Sequence, residues 1–180
     1  MAENTLTQWL TEEQEIRARQ PADGRYPDTF AQYQHRPGID YLQAIINGRC
    51  PQPPICATLD FLLLHVEPGV AVSQGEPLAR HNNPLGSVHG GWFATLLDSA
   101  LGCAVHTRVP PERLYTTLEM KLNIVRPLFD GMGRIRARGE CLHVGRQTAT
   151  AQASLIGPCH HNLSDLRTTA GRLIGALLQW

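Results

Sequence analysis

One segment constrains the fold more than any other: residues 90–105 read as a single long helix with an unbroken apolar stripe. Phe93, Leu96, Leu97, Ala100, Leu101, Ala104 and Val105 recur at i, i+3, i+4 and i+7, the spacing of a helix that buries one face. The opposite face carries Gly91, Ala94, Thr95, Asp98 and Gly102, all small apart from one carboxylate. A helix this apolar needs a broad partner surface, and the flanking sequence supplies strands. Upstream, DFLLLHVE stops at Pro68-Gly69, and VAVSQGE follows as the second arm of a hairpin. Downstream, Leu118, Met120, Leu122 and Ile124 alternate with Thr117, Glu119, Lys121 and Asn123. Residues 134–141 and 147–155 alternate again, with Arg134, Arg136 and Arg138 expected on a solvated strand face. Strands packed on one buried helix predict an α+β layer.

The first 55 residues have a different texture. Residues 5–20 predict a weak helix with Thr7 or Thr11 as N-cap, and residues 20–39 predict an irregular, Pro- and Gly-rich arm. A short helix is expected over Asp40–Ile46, then a rigid connector at Pro51–Pro54. The chain therefore divides into an N-terminal helical extension and linker, 1–55, and a main domain, 56–180.

Asp98 is the only charged residue between Gly90 and Val105. A carboxylate on a buried helix must be paired, hydrogen-bonded or protonated, so it either caps a neighbouring element, faces water, or does chemistry. Just before the helix runs Asn83-Pro84-Leu85-Gly86-Ser87-Val88-His89-Gly90-Gly91. The first-turn N–H groups of a helix lack intrahelical acceptors and sit at its positive end, a natural place to hold an oxyanion. Singly, these residues have plain structural uses: an Asx turn at Asn83, a loop histidine at His89, an eased turn at Gly90-Gly91.

Together they spell N-x-x-G-x-x-H-G-G-x6-D, which resembles the hot-dog-fold acyl-CoA thioesterases of the phenylacetate-pathway (PaaI) type, within the 4-hydroxybenzoyl-CoA thioesterase superfamily. PPICATLDFLLLHVEPG and TTLEMKLNIVRPL look like that family's strands before and after the helix. The resemblance covers roughly residues 40–156. It implies a hot-dog fold, an antiparallel sheet wrapped around one long central helix, and a homodimer or a tetramer of two dimers with active sites at the dimer interface. It implies that the Gly90 N–H polarises a thioester carbonyl, His89 holds the loop, and Asn83 orients water or the carboxylate. Asp98 of the other subunit would act as nucleophile or general base, assisted by Thr117. Gly91 and the turn His143-Val144-Gly145-Arg146-Gln147-Thr148 would receive the CoA arm, with Arg146 on a phosphate. Trp92, Phe93 and Leu85 either line an acyl pocket or belong to the core. A thioester is already activated, so a carboxylate and an oxyanion site can serve without cofactor or metal. A carboxylate in apolar surroundings is also the stronger base.

Composition narrows the rivals. Lys+Arg and Asp+Glu both number 16, which gives no electrostatic reason to expect nucleic acid or an anionic membrane as partner. Residues 1–50 hold five arginines against seven acids and no helix-turn-helix pattern, which disfavours a DNA-binding acyl-CoA sensor. Hot-dog hydratases place their acid and histidine differently. The five cysteines form no C-x-x-C pair, and with no signal-like start or membrane-length apolar run the expectation is a reduced, cytoplasmic protein. The run GPCHHNLSDLRTTAGRLIGALLQW departs from the family pattern. Cys159, His160 and His161 are expected in a loop, and the last strand is weakly patterned.

Overall fold

The computed structural model describes residues 2–157 and 169–179. Four helices are present among them: α1 (Ala2–Arg19), α2 (Gly38–Ile46), α3 (Pro54–Thr58) and α4 (Gly90–His106). Six strands follow the order β1 (Phe61–Glu67), β2 (Val70–Gly75), β3 (Arg113–Ile124), β4 (Ile135–Val144), β5 (Thr148–Ile156) and β6 (Thr169–Gln179) along the chain. They form one antiparallel sheet in the spatial order β1-β2-β4-β5-β6-β3. The last strand, weak by pattern, pairs along its whole length with β3 and over residues 170–176 with β5. The residues Cys159, His160 and His161 lie outside the described part of the chain.

The sheet curls around α4, which touches all six strands. Its predicted stripe is buried in full, from Phe93 at 2% exposure to Val105 at 0%. The helix lies so close to β4 that a Cβ on Gly139 would stand 2.3 Å from the Ala100 carbonyl oxygen, an approach only glycine permits. This is the hot-dog arrangement.

Strand β1 shows why its sequence is apolar on consecutive residues instead of alternating. Leu63 and Val66 pack with Leu42 and Ile45 of α2, while Leu62 and Leu64 pack against Ile16 of α1. Both faces are covered, so both need apolar side chains.

Two expectations are corrected here. Arg134 and Arg136 are not solvated. Glu13, itself 3% exposed, accepts from Arg134 Nε at 2.6 Å and from Gln74 Nε2 at 2.7 Å. Arg136 donates to Gln74 Oε1 at 2.6 Å, pairs with Glu12, and stacks over Trp9 at 4.3 Å. Helix α1 lies on this strand face and turns it from a surface into an interior; only Arg138 remains half-exposed, beside Glu140. The second correction concerns β3. Its pairing with β6 shifts between Thr117 and Glu119, a bulge at Leu118. Met120 and Leu122 pack on the core as the alternation predicts, but Leu118 is 62% exposed. One extra residue reverses the facing of everything before it.

Candidate functional site

The loop before α4 is tied by its own side chains. Asn83 Oδ1 accepts from the backbone N–H of Leu85 at 2.8 Å and of Ser87 at 3.3 Å, and its Nδ2 donates to Ser87 Oγ at 2.9 Å. His89 is the N-cap of α4, its Nδ1 accepting from the Gly91 N–H at 2.9 Å. An accepting Nδ1 carries no proton, so the ring's hydrogen sits on Nε2. Trp92 N–H bonds back to the His89 carbonyl at 2.9 Å. The Gly91 and Trp92 donors are thus committed, while the Gly90 N–H has no acceptor among the described residues. A Cβ at Gly90 would meet only Ile124 Cδ1, at 3.4 Å. This donor lines a cavity of about 300 Å³ shared with Asn83, Ser87, Phe93, Ile124 and Arg126.

Asp98 lies two turns further along α4 and half-exposed, with its Oδ1 accepting from Thr117 Oγ at 3.0 Å. The bulge at Leu118 makes this contact possible, because it lets Thr117 and Met120, an odd number of residues apart, reach the same side of the sheet. Asp98 lines a second cavity, of about 270 Å³ and mostly apolar. Beside it stand Cys103, His106 and Tyr115, none of which the sequence marked. Burial pushes the Cys103 thiol up to about 12 and the His106 imidazole down to about 4, and holds the Tyr115 phenol well above its ordinary range. At neutral pH all three are therefore uncharged. Their one visible trace in the sequence is Gly102, where a Cβ would stand 2.2 Å from the Tyr115 hydroxyl.

One chain therefore brings Asp98 to Thr117, and Asn83 to the cavity of Gly90, but Asp98 lines a different cavity from Asn83 and Gly90. The turn 143–148 is the β4–β5 hairpin, closed by Gly145 N–H to the Thr148 carbonyl at 2.8 Å. Arg113 donates to the Arg146 carbonyl, and His143, Arg146 and Gln147 are exposed, with Val144 half-buried. Trp92 and Phe93 are core residues at 3% and 2% exposure, whereas Leu85 stands out at 91%.

With this geometry in hand, likeness to known proteins is decisive. The profile described as Thioesterase superfamily matches residues 85–156, which spans the loop, α4 and the strands through β5. The phenylacetic acid degradation protein PaaI of Thermus thermophilus is 30% identical. It superimposes with a TM-score of 0.60 over 69% of this chain and 98% of its own. The chain belongs to the thioesterase superfamily. A conserved protein of Pseudomonas aeruginosa is similar too, at 25% identity, TM-score 0.62, and coverage of 70% and 94%. A 1,4-dihydroxy-2-naphthoyl-CoA hydrolase of Listeria monocytogenes is 28% identical over 91 residues, 51% of this chain and 72% of that protein. A Halobacterium salinarum protein named as an esterase is 32% identical over 85 residues. That match spans 46% of this chain and about half, 54%, of the relative. No helix among the described residues is long and apolar enough to cross a membrane.

Proposed function

We propose that this thioesterase-superfamily chain hydrolyses acyl-CoA thioesters to free acid and CoA, at sites completed by a second copy of itself. The observation that carries this reading is the separation of its two chemistries. Gly90 and Asp98 are eight residues apart on one helix, about 12 Å by helical rise, and line separate cavities. A thioester carbonyl held by Gly90 cannot also meet the Asp98 of its own chain. A partner whose α4 runs antiparallel alongside would set its Asp98 opposite Gly90. The sheet edge favours such pairing: β3 is a terminal strand with Leu118 and Ile124 exposed at 62% and 51%, and Val125 beyond it at 65%. Apolar, unpaired edges are templates for another chain.

In this scheme the Gly90 N–H holds the carbonyl oxygen as negative charge develops on it. The partner's carboxylate then acts in one of two ways. Either Asp98 takes a proton from water, whose oxygen attacks the carbonyl carbon, or Asp98 attacks directly and water cleaves the resulting anhydride. The C–S bond breaks in both, and CoA leaves as the thiolate. Thr117 fixes one carboxylate oxygen and leaves the other to react. Asn83 and His89 keep the loop shaped so that the Gly90 donor stays open. The 143–148 hairpin, with Arg146 exposed, receives the CoA arm, guanidinium to phosphate.

Mixing two inactive variants tests the shared site. Gly90→Val and Asp98→Asn, refolded together in equal amounts, give about half mixed dimers by random pairing. Each mixed dimer holds one doubly damaged and one intact site, so activity recovers to about a quarter of wild type. A mixture shown by mass spectrometry to be mixed, yet inactive, means that each site lies within one chain. Enoyl hydration without CoA release would instead assign a hydratase.

A further inference from the structure

The cavity beside Asp98 is not built by the hot-dog elements alone. One wall comes from the N-terminal extension: Phe30 of a short 3-10 turn, Tyr41 of α2, and Ile55 of α3. These residues precede the segment that matches the superfamily, which begins at residue 85. Aromatic contacts fix the wall in place. Phe30 meets Tyr41 edge-on at 4.8 Å, Tyr41 meets His106 at 6.2 Å, and His106 meets Tyr115 at 5.6 Å. The chain of rings runs from the extension to α4 and on to β3. Behind it, Gly38 at the start of α2 lies so near α4 that a Cβ there would sit 2.2 Å from the His106 carbonyl oxygen. The extension is therefore seated directly on the helix that carries Asp98.

We propose that the N-terminal extension selects the acyl group: Phe30, Tyr41 and Ile55 wall the cavity at Asp98 and restrict turnover to thioesters with a compact apolar acyl group. This rests on the reading of Asp98 as the hydrolytic carboxylate. The acyl chain begins one bond from the carbonyl carbon, so whatever lies beside the attacking carboxylate must accommodate it. The space there is about 270 Å³, and its lining is mostly apolar. An apolar cavity of roughly 150 Å³ holds a benzene molecule. By that measure the pocket takes one ring with a short linker, or a chain of about eight carbons. The neighbouring titratable groups, Cys103, His106 and Tyr115, are uncharged at neutral pH and do not oppose an apolar guest. Ile55 is the tunable position, because at 43% exposure it can be enlarged without disturbing the core.

The test measures kcat/KM by CoA release for acetyl-, octanoyl-, phenylacetyl- and palmitoyl-CoA, in the full chain carrying Ile55→Trp or Tyr41→Ala. The expected result for Ile55→Trp is at least a tenfold fall in the octanoyl-to-acetyl ratio of kcat/KM. For Tyr41→Ala the palmitoyl-to-octanoyl ratio should rise about tenfold. Equal losses on every substrate, or unchanged ratios in variants that melt like wild type, would overturn the wall assignment. Release of no CoA from any thioester by wild type overturns the hydrolase reading instead. Calorimetric binding of octanoate then still tests the wall: Ile55→Trp should weaken it about tenfold, and equal affinity in both proteins refutes it.

Discussion

At the start of α4 polar side chains are used to shape backbone. The side chain of Asn83 makes three hydrogen bonds within its own loop and His89 caps the helix, so what is left uncommitted is a main-chain N–H. At Asp98 the roles are reversed, and the backbone shapes a side chain. A strand bulge turns Thr117 toward the carboxylate, and apolar elements surround the cavity it faces. The first arrangement is local and lies within a few residues of the loop. The second depends on α4, β3 and the extension meeting correctly. A backbone donor survives many side-chain changes and fails when its space is filled, whereas a carboxylate fails when its chemistry is removed.

Substitution should separate the two regions. The largest effect is expected for Asp98→Asn, which keeps shape and loses the carboxylate that would serve as base or nucleophile. CoA release should fall by about 10³-fold, within the range for a lost general base, with melting unchanged. An Asp98→Asn variant retaining full kcat would remove the carboxylate from the mechanism. Next, Gly90→Val should cost roughly 10²–10³ in kcat, as for a lost oxyanion donor. Gly90→Ala should fold normally, since a Cβ there meets only Ile124 at 3.4 Å. If Gly90→Val were as active as wild type, the N–H would not be the carbonyl's partner.

The smallest effect is on stability and belongs to the Asp98 cavity alone. Burial lowers the His106 pKa from 6.5 to about 4. Between those values the unfolded chain binds a proton that the folded chain refuses, so stability rises with pH and is lost on acidification. From pH 6.5 to 5 the loss should be about 1.5 kcal/mol. Glu12 and Glu13, whose pKa values are lowered by Arg136 and Arg134 despite opposing burial, lose their contribution only as pH falls below the ordinary carboxylate range. Urea unfolding of wild type and His106→Gln over that window checks this, and parallel pH curves would contradict a buried neutral histidine.

What was legible in the sequence follows the range of the interactions. Helix α4 announces itself because its burial is periodic over four turns, and the loop motif because its residues act on one another within a few positions. Thr117 could be named from resemblance, but the alternation placed it opposite Met120 and Leu122; the bulge that reverses it leaves no mark in the pattern. The Arg134 and Arg136 face read as solvated because the residues that cover it, Glu12, Glu13 and Trp9, stand at the other end of the chain. The wall of Phe30, Tyr41 and Ile55 was invisible for the same reason. Irregular segments carry no periodicity from which contact can be inferred.

That distance along the chain sets an order of assembly. The polar partners of α1 come from β2, from β4 and from Arg134 just before β4, and the bonds from Arg134 and Arg136 to Glu13 and Glu12 close loops of 121 and 124 residues. Such long-range closures form late, after local contacts have reduced the chain's freedom. On the ribosome α1 emerges before the strands it docks on, and its long-range bonds are thus among the last to close. Until Arg136 has emerged, Glu13 has no interior to enter and the outer side chains of β1 and β2 remain uncovered. Helix α1, made before the sheet it covers, acts as the fold's closing clasp.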